Sequence, residues 1–160
     1  MPAYAVIGGQ WGDEGKGKVV DCLAEKVHAV LRFAGGNNAG HTVEVTGKDC
    51  VKRTCFFHLV PSGLIHEKVT CVIGNGCVVH PMQFKKEIEE LIAAGVDSDC
   101  LCRLYVSDAA HVVTYAHQAL DRKNGKGIGT TGKGIGPCYS SKADRSGIRI
   151  CDLIGDPVKL

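Results

Sequence analysis

The run Ala3-Tyr4-Ala5-Val6-Ile7-Gly8-Gly9-Gln10-Trp11-Gly12-Asp13-Glu14-Gly15-Lys16-Gly17-Lys18 passes from a short apolar segment through a glycine-studded polar stretch to two lysines. Ala3–Gly8 reads as a short buried strand, residues 9–15 as a loop, and Lys16–Lys26 as a helix turning Val19, Val20 and Leu23 inward. Gly12 to Lys18 fits G-x-x-x-x-G-K, the spacing whose amides and lysine hold phosphate at a helix N-terminus. Val19 stands where Ser or Thr usually supplies a magnesium ligand, which leaves Asp13 as the nearest oxygen. A carboxylate inside such a loop repels phosphate unless a metal or a proton-transfer role offsets it. The spacing alone also fits a glycine-rich turn before a helix.

Further along, His28–Phe33 reads as a strand that ends at the loop of residues 35–38. Val43–Leu59 reads as a hairpin turning near Thr46-Gly47-Lys48, and Lys68–Ile73 as a strand closed by Gly74-Asn75-Gly76. Pro81–Ala94 carries the clearest helical pattern: Pro81 suits the first turn, Phe84, Ile88, Leu91 and Ile92 share a face, and Gly95 suits a C-terminal cap. Leu101–Val106 reads as a strand, Val112–Lys123 as a helix and residues 124–137 as a glycine-rich loop. Alternating strands and helices imply an α/β fold, a P-loop-like central β-sheet flanked by helices, with an antiparallel hairpin added.

The 160 residues are 44% apolar and 22% charged with a net charge of +2, a balance that gives no reason to expect nucleic acid or a membrane surface as partner. No apolar run approaches the ~20 residues that span a bilayer. Met1-Pro2-Ala3-Tyr4 has no leader pattern, so a cytoplasmic location is expected. The nine cysteines contain no C-x-x-C pair, and reduced, mostly buried thiols are expected. Glycine is the informative excess: 21 residues, about double the usual ~7%, and clustered, as where backbone approaches a ligand or turns tightly.

A second cluster is Gly35-Gly36-Asn37-Asn38-Ala39-Gly40-His41-Thr42, placed after a strand, where α/β folds bind ligands. Asn38 both donates and accepts hydrogen bonds, Gly40 admits backbone, and His41 can act as a general acid near neutral pH or be an ordinary loop histidine. The third cluster, Gly127 to Pro137, sets Thr130, Thr131 and Lys133 among glycines, which suits a second phosphate site or a surface loop.

Gln10 to Lys18 closely resembles the signature of the adenylosuccinate synthetases, and Gly36 to Thr42 resembles their second signature. Pro61-Ser62-Gly63, Ile73-Gly74-Asn75-Gly76 and Gly129 to Pro137 follow in the family's order, so the resemblance covers essentially the whole chain. It implies a purine-pathway ligase that joins L-aspartate to IMP with GTP and Mg2+, through a 6-phosphoryl-IMP intermediate. By resemblance, Asp13 is the general base and a magnesium ligand, His41 the general acid, and Lys16 the cation on the transferred phosphate. GTP is implied at Gly12, Asp13, Glu14, Gly15, Lys16, Gly17, Lys18, Gly40, His41 and Thr42. IMP is implied at Asp13, Glu14, Gly15, Lys16, Asn38, Ala39, Gly40, His41 and Thr131. Gly40 is implied as a second magnesium ligand through its carbonyl, and Arg145 as reaching the IMP of the other subunit of a homodimer. Val43–Arg53 corresponds to a loop that closes over ligands. Family members are more than twice as long, so residues 1–160 read as the N-terminal part of one catalytic domain. The fold is then truncated relative to the full family fold, with the guanine-reading and aspartate-binding elements outside it and apolar surface exposed. A non-catalytic phosphate-binding fragment is the alternative for the chain by itself.

Overall fold

The structure, a computed structural model, describes residues 2–12, 14–46, 51–125 and 129–155. A mixed α/β architecture surrounds a three-stranded parallel sheet in the order β1 (Ala29–Arg32), β4 (Thr70–Ile73), β6 (Leu104–Val106). The central strand reads Thr-Cys-Val-Ile, with Cys71 and Ile73 fully buried on one face, and its β-branched residues suit a pleated, half-buried surface. Leu31 pairs in register with Val72, and Val72 with Tyr105. This row crosses the outer face, where Leu31 and Tyr105 are more than half exposed. Apolar surface therefore remains open on the strands.

The hairpin forms from β2 (His41–Thr46) and β3 (Lys52–Phe57), paired antiparallel from His41↔Phe57 to Thr46↔Lys52. The turn is expected near Thr46-Gly47-Lys48, and residues 47–50 lie outside the described residues. Cys55 and Phe57 alternate inward while Phe56 faces out, the period-2 pattern of a half-buried strand. Within Val43–Arg53, the stretch that the resemblance implies closes over ligands, residues 43–46 and 52–53 form the expected hairpin pairing.

Helix α2 (Pro81–Ala93) packs Phe84, Ile88 and Leu91 into the main core with Val60, Leu64 and Cys71. It ends in a Schellman arrangement: Gly95 has φ +98°, Gly95 N–H donates to Ile92 (2.9 Å), and Val96 N–H donates to Leu91 (3.1 Å). Ile92 lies at the exposed edge of this face. Two-residue strands β5 (Val78–Val79) and β7 (His111–Val112) pair in parallel beyond the sheet. Helices α3 (Tyr115–Asn124), α4 (Ile135–Ala143) and α5 (Ile150–Ile154) follow.

Several expectations are corrected. Ala3–Gly8 joins no strand among the described residues, and Tyr4 and Ile7 are exposed. An apolar run becomes a strand only where a neighbour completes its ladder. Helix α1 covers Lys16–Ala24, and Val19 faces solvent while Ala24 is buried. Leu101–Arg103 belongs to a 3-10 turn, Ser98–Arg103, capped by the Asp97 carboxylate, so only Leu104–Val106 is strand. Helix α3 starts three residues late because Thr114 and His117 form a reciprocal cap. Residues 135–137, expected as loop, open α4, since proline is tolerated in a first turn.

Candidate functional site

At the head of α1, Gly15 takes φ +80°, a conformation glycine adopts without strain, and its carbonyl accepts from Lys18 N–H at 3.0 Å. The loop before it is closed by its own carboxylate. Glu14 accepts from the Gln10 and Trp11 amides at 2.9 Å each and pairs with Lys16 at 2.9 Å. Those amide bonds, with Lys16, hold the Glu14 carboxyl far below the usual carboxylate range. Asp13, the expected base and metal ligand, lies outside the described residues.

The second loop is joined to the first by His41. A Cβ on Gly17 would lie 2.6 Å from His41 Cγ, so the imidazole rests directly on the first turn of α1. On its other side the ring stacks on Phe57, with centroids 5.5 Å apart. Burial, then the Arg32 guanidinium, push its pKa down, opposed by the Asp21 carboxylate. His41 Nε2 is buried without a hydrogen-bond partner among the described residues. Such an atom is costly to leave unmet and points to a ligand or water. Asn38, Ala39, Gly40 and Thr42 are exposed beside it.

Sequence reading missed the residues that shape this loop. Arg32 reaches from β1 to the carbonyls of Gly36 (2.6 Å) and His58. His58 Nδ1 meets the Ala39 carbonyl at 3.2 Å. Glu87, buried on α2, accepts from the amides of His58 (2.7 Å), Leu59 (2.9 Å) and Val60 (3.0 Å). The available signal was a lone glutamate one turn before Leu91 on an otherwise apolar face.

The third loop meets the second. Lys133 Nζ donates to the Asn37 carbonyl at 2.7 Å, and Tyr139 on α4 accepts from Gly35 N–H at 2.7 Å while donating to Gly76 at 2.8 Å. Thr131 is exposed, residues 126–128 lie outside the described residues, and Gly134 heads α4 with φ +80°. Arg145, exposed after α4, has φ +61° and is the one non-glycine with positive φ among the described residues. The structure thus gathers Gly15–Lys18, Asn37–His41 and Lys133 through direct contacts, and leaves Thr131 and Arg145 at the surface.

An open groove of about 440 Å3 lies elsewhere, lined by His80, Met82 and Tyr115 at the N-termini of α2 and α3. It touches none of the three glycine loops. The described cysteines are free thiols, and burial pushes Cys71 up to about 12 and Cys138 up to about 11, which keeps them unreactive. No helix among the described residues is long and apolar enough to cross a membrane.

Fold and site define an α/β protein with a glycine-rich loop of phosphate-binding pattern heading its first helix. The family profile described as adenylosuccinate synthetase matches residues 5–159. The chain is 51% identical over 161 residues to the adenylosuccinate synthetase of Acetivibrio thermocellus, covering 98% of this chain and 36% of that one. It is 52% identical over 156 residues to that of Trichoplax adhaerens, covering 94% and 34%. The fully ligated adenylosuccinate synthetase of Plasmodium falciparum superposes with a TM-score of 0.73 at 44% identity, over 88% of this chain and 32% of that one. A cyanophage S-2L succinoaminodeoxyadenylate synthetase, solved with dGMP and with dATP as energy donor, has a TM-score of 0.61 at 25% identity, over 83% and 35%. The chain belongs to the adenylosuccinate synthetase family, and it spans about a third of the length of these relatives.

Proposed function

We propose that this chain supplies the phosphoryl-transfer part of a GTP-dependent ligase that joins L-aspartate to IMP in purine biosynthesis. The contact of His41 with Gly17 supports this reading most directly, because it sets a buried, unpartnered imidazole nitrogen against the G-x-x-x-x-G-K loop. Asp13 takes the N1 proton of IMP, and O6 attacks the γ-phosphate of GTP. Lys16 and the amides of Gly15–Lys18 hold that phosphate in line, the positioning on which phosphoryl transfer depends. His41 donates its proton toward the departing nucleotide. Asn38, Ala39 and Gly40 contact IMP, Gly40–Thr42 contact GTP, and Thr131 binds the IMP phosphate. The amine of aspartate then displaces phosphate from C6.

Mg2+ fits the donor set. Among the described residues no three side chains gather as a metal site, whereas the Asp13 carboxylate and Gly40 carbonyl are two hard oxygens. Magnesium is commonly held so, by few protein oxygens with phosphate and water completing its shell. Bound there, it would neutralise phosphate charge. A cytoplasmic homodimer in which Arg145 reaches the IMP of a second copy completes the proposal, residues 1–160 being the N-terminal part of one catalytic domain.

A second reading, a non-catalytic phosphate-binding fragment, is favoured by one observation: the chain covers 36% of its Acetivibrio relative. Titration with IMP and with GTP, followed by a phosphate-release assay with aspartate and Mg2+, separates the two. Binding of both nucleotides with phosphate release supports the ligase, binding without release supports the fragment, and binding of neither overturns the site.

A further inference from the structure

The third loop contains two adjacent threonines, Thr130 and Thr131, that composition alone cannot tell apart. Their surroundings differ. The Thr130 hydroxyl donates to Asp121 Oδ1 at 2.7 Å and accepts from Gly132 N–H at 3.2 Å. An ionised carboxylate only accepts, so the Thr130 proton is committed to Asp121. The other carboxylate oxygen, Oδ2, accepts from Gly134 N–H at 2.8 Å. One buried carboxylate near the end of α3 therefore grips both ends of residues 130–134. Between the grips Gly132 has φ +66°, Lys133 is tied to Asn37, and Thr131 remains exposed.

We propose that Asp121 is a positioning residue for the substrate phosphate: by consuming Thr130 and the Gly134 amide it shapes the loop so that Thr131 alone is offered to the ligand. The proposal rests on the reading of Thr131 as the IMP-phosphate contact. A loop fixed in advance spares binding the entropy of ordering it. Asp121 and Thr130 touch no substrate and act through Thr131.

The 160-residue chain tests this, titrated calorimetrically with IMP and with GTP beside its Asp121→Asn, Thr130→Val and Thr130→Ser variants. Asp121→Asn and Thr130→Val should each weaken IMP about tenfold, the order of one lost charge-assisted hydrogen bond. Thr130→Ser, which keeps the hydroxyl, should bind IMP as the parent does, and GTP should be unaffected in all three. Where Asp121→Asn fails to fold, the Thr130 pair decides. Parental IMP affinity in Thr130→Val overturns the proposal. Equal loss of IMP and GTP also overturns it, since a general structural role would move both. An unaltered chain that binds GTP but not IMP removes the reading of Thr131 and the proposal with it.

Discussion

The first and third glycine loops look alike in sequence and differ in how they are held. Each places a glycine at φ +80° before a helix that has no side-chain cap, Gly15 before α1 and Gly134 before α4. Each is closed by one carboxylate. In the first loop that carboxylate is Glu14, within the loop and near the surface. In the third it is Asp121, buried and supplied by α3. A loop fastened to another element keeps its shape when ligand arrives. A loop fastened to itself must exchange its own carboxylate for the ligand. Composition marks both as phosphate-binding candidates, and only tertiary contacts separate a preformed loop from an exchangeable one.

The strongest test of that contrast substitutes the two capping glycines. A Cβ at Gly134 would lie 2.8 Å from Gln118 N and 2.9 Å from the His117 carbonyl carbon, both backbone. At Gly15 a Cβ meets nothing within 4 Å among the described residues. Gly15→Ala should therefore cost only the left-handed penalty, about 1–2 kcal/mol. Gly134→Ala adds an overpacking cost of about 1–3 kcal/mol. Urea unfolding should rank Gly134→Ala well below Gly15→Ala, and equal losses would erase the distinction between the loops.

Acid should probe both sides at smaller amplitude. Burial holds His41, beside the first loop, and His117, against which Gly134 packs, below the ordinary imidazole value of 6.5. His80 and His111 shift the same way for the same first cause. The unfolded chain takes up protons near 6.5 that the folded chain refuses, so stability is complete above that pH and declines as pH falls through it. Each unit of depression is worth about 1.4 kcal/mol once fully expressed. Thermal melts should be flat from about pH 8 to 7 and fall below about 6.5, less steeply in His41→Asn. A Tm unchanged down to pH 5 would show these imidazoles protonating freely in the native state.

How much of this was legible follows the range of the interactions. The α2 helix was readable because Pro81, the apolar spacing and Gly95 are local signals, and the structure satisfies each. The contact of His41 with Gly17, which joins the first two loops, is announced by no local pattern. Ala3–Gly8 misled because its apolar pattern states a capacity for pairing, not the presence of a partner. Arg103 shows the same limit: it fixes the end of its 3-10 turn by donating to the carbonyls of His66 (2.7 Å) and Val69 (2.6 Å), far away in sequence. Glu87 reaches 29 residues back to the His58 amide, and Arg32 reaches 26 residues forward to the His58 carbonyl. Asp121 spans 9 and 13 residues to Thr130 and Gly134, so even where a lone glutamate stands out on a helix face its partners do not.

The gentlest test concerns Glu14. Its carboxylate occupies two amides and Lys16, the kinds of donor a phosphate would use, and a Cβ on Gly8 would lie 2.6 Å from Lys16 Nζ, so the pair is folded down over the loop's own backbone. An incoming phosphate competes with this internal anion, so part of its binding free energy goes into displacing Glu14. Glu14→Gln weakens the competitor without changing its size. Inorganic pyrophosphate should then bind about threefold to tenfold more tightly, the range expected when one modest hydrogen bond no longer has to be broken. Trp11, the single tryptophan, donates its amide to Glu14 while its side chain stands exposed, so its fluorescence should report the exchange. Glu25→Gln, at the far end of α1, controls for the lost charge and should leave the affinity unchanged. The third loop supplies the counterpart, since Asp121→Asn opens a grip that no ligand needs to displace and should never tighten binding. If pyrophosphate binds Glu14→Gln no more tightly than the parent, the first loop is as preformed as the third and the contrast between them fails.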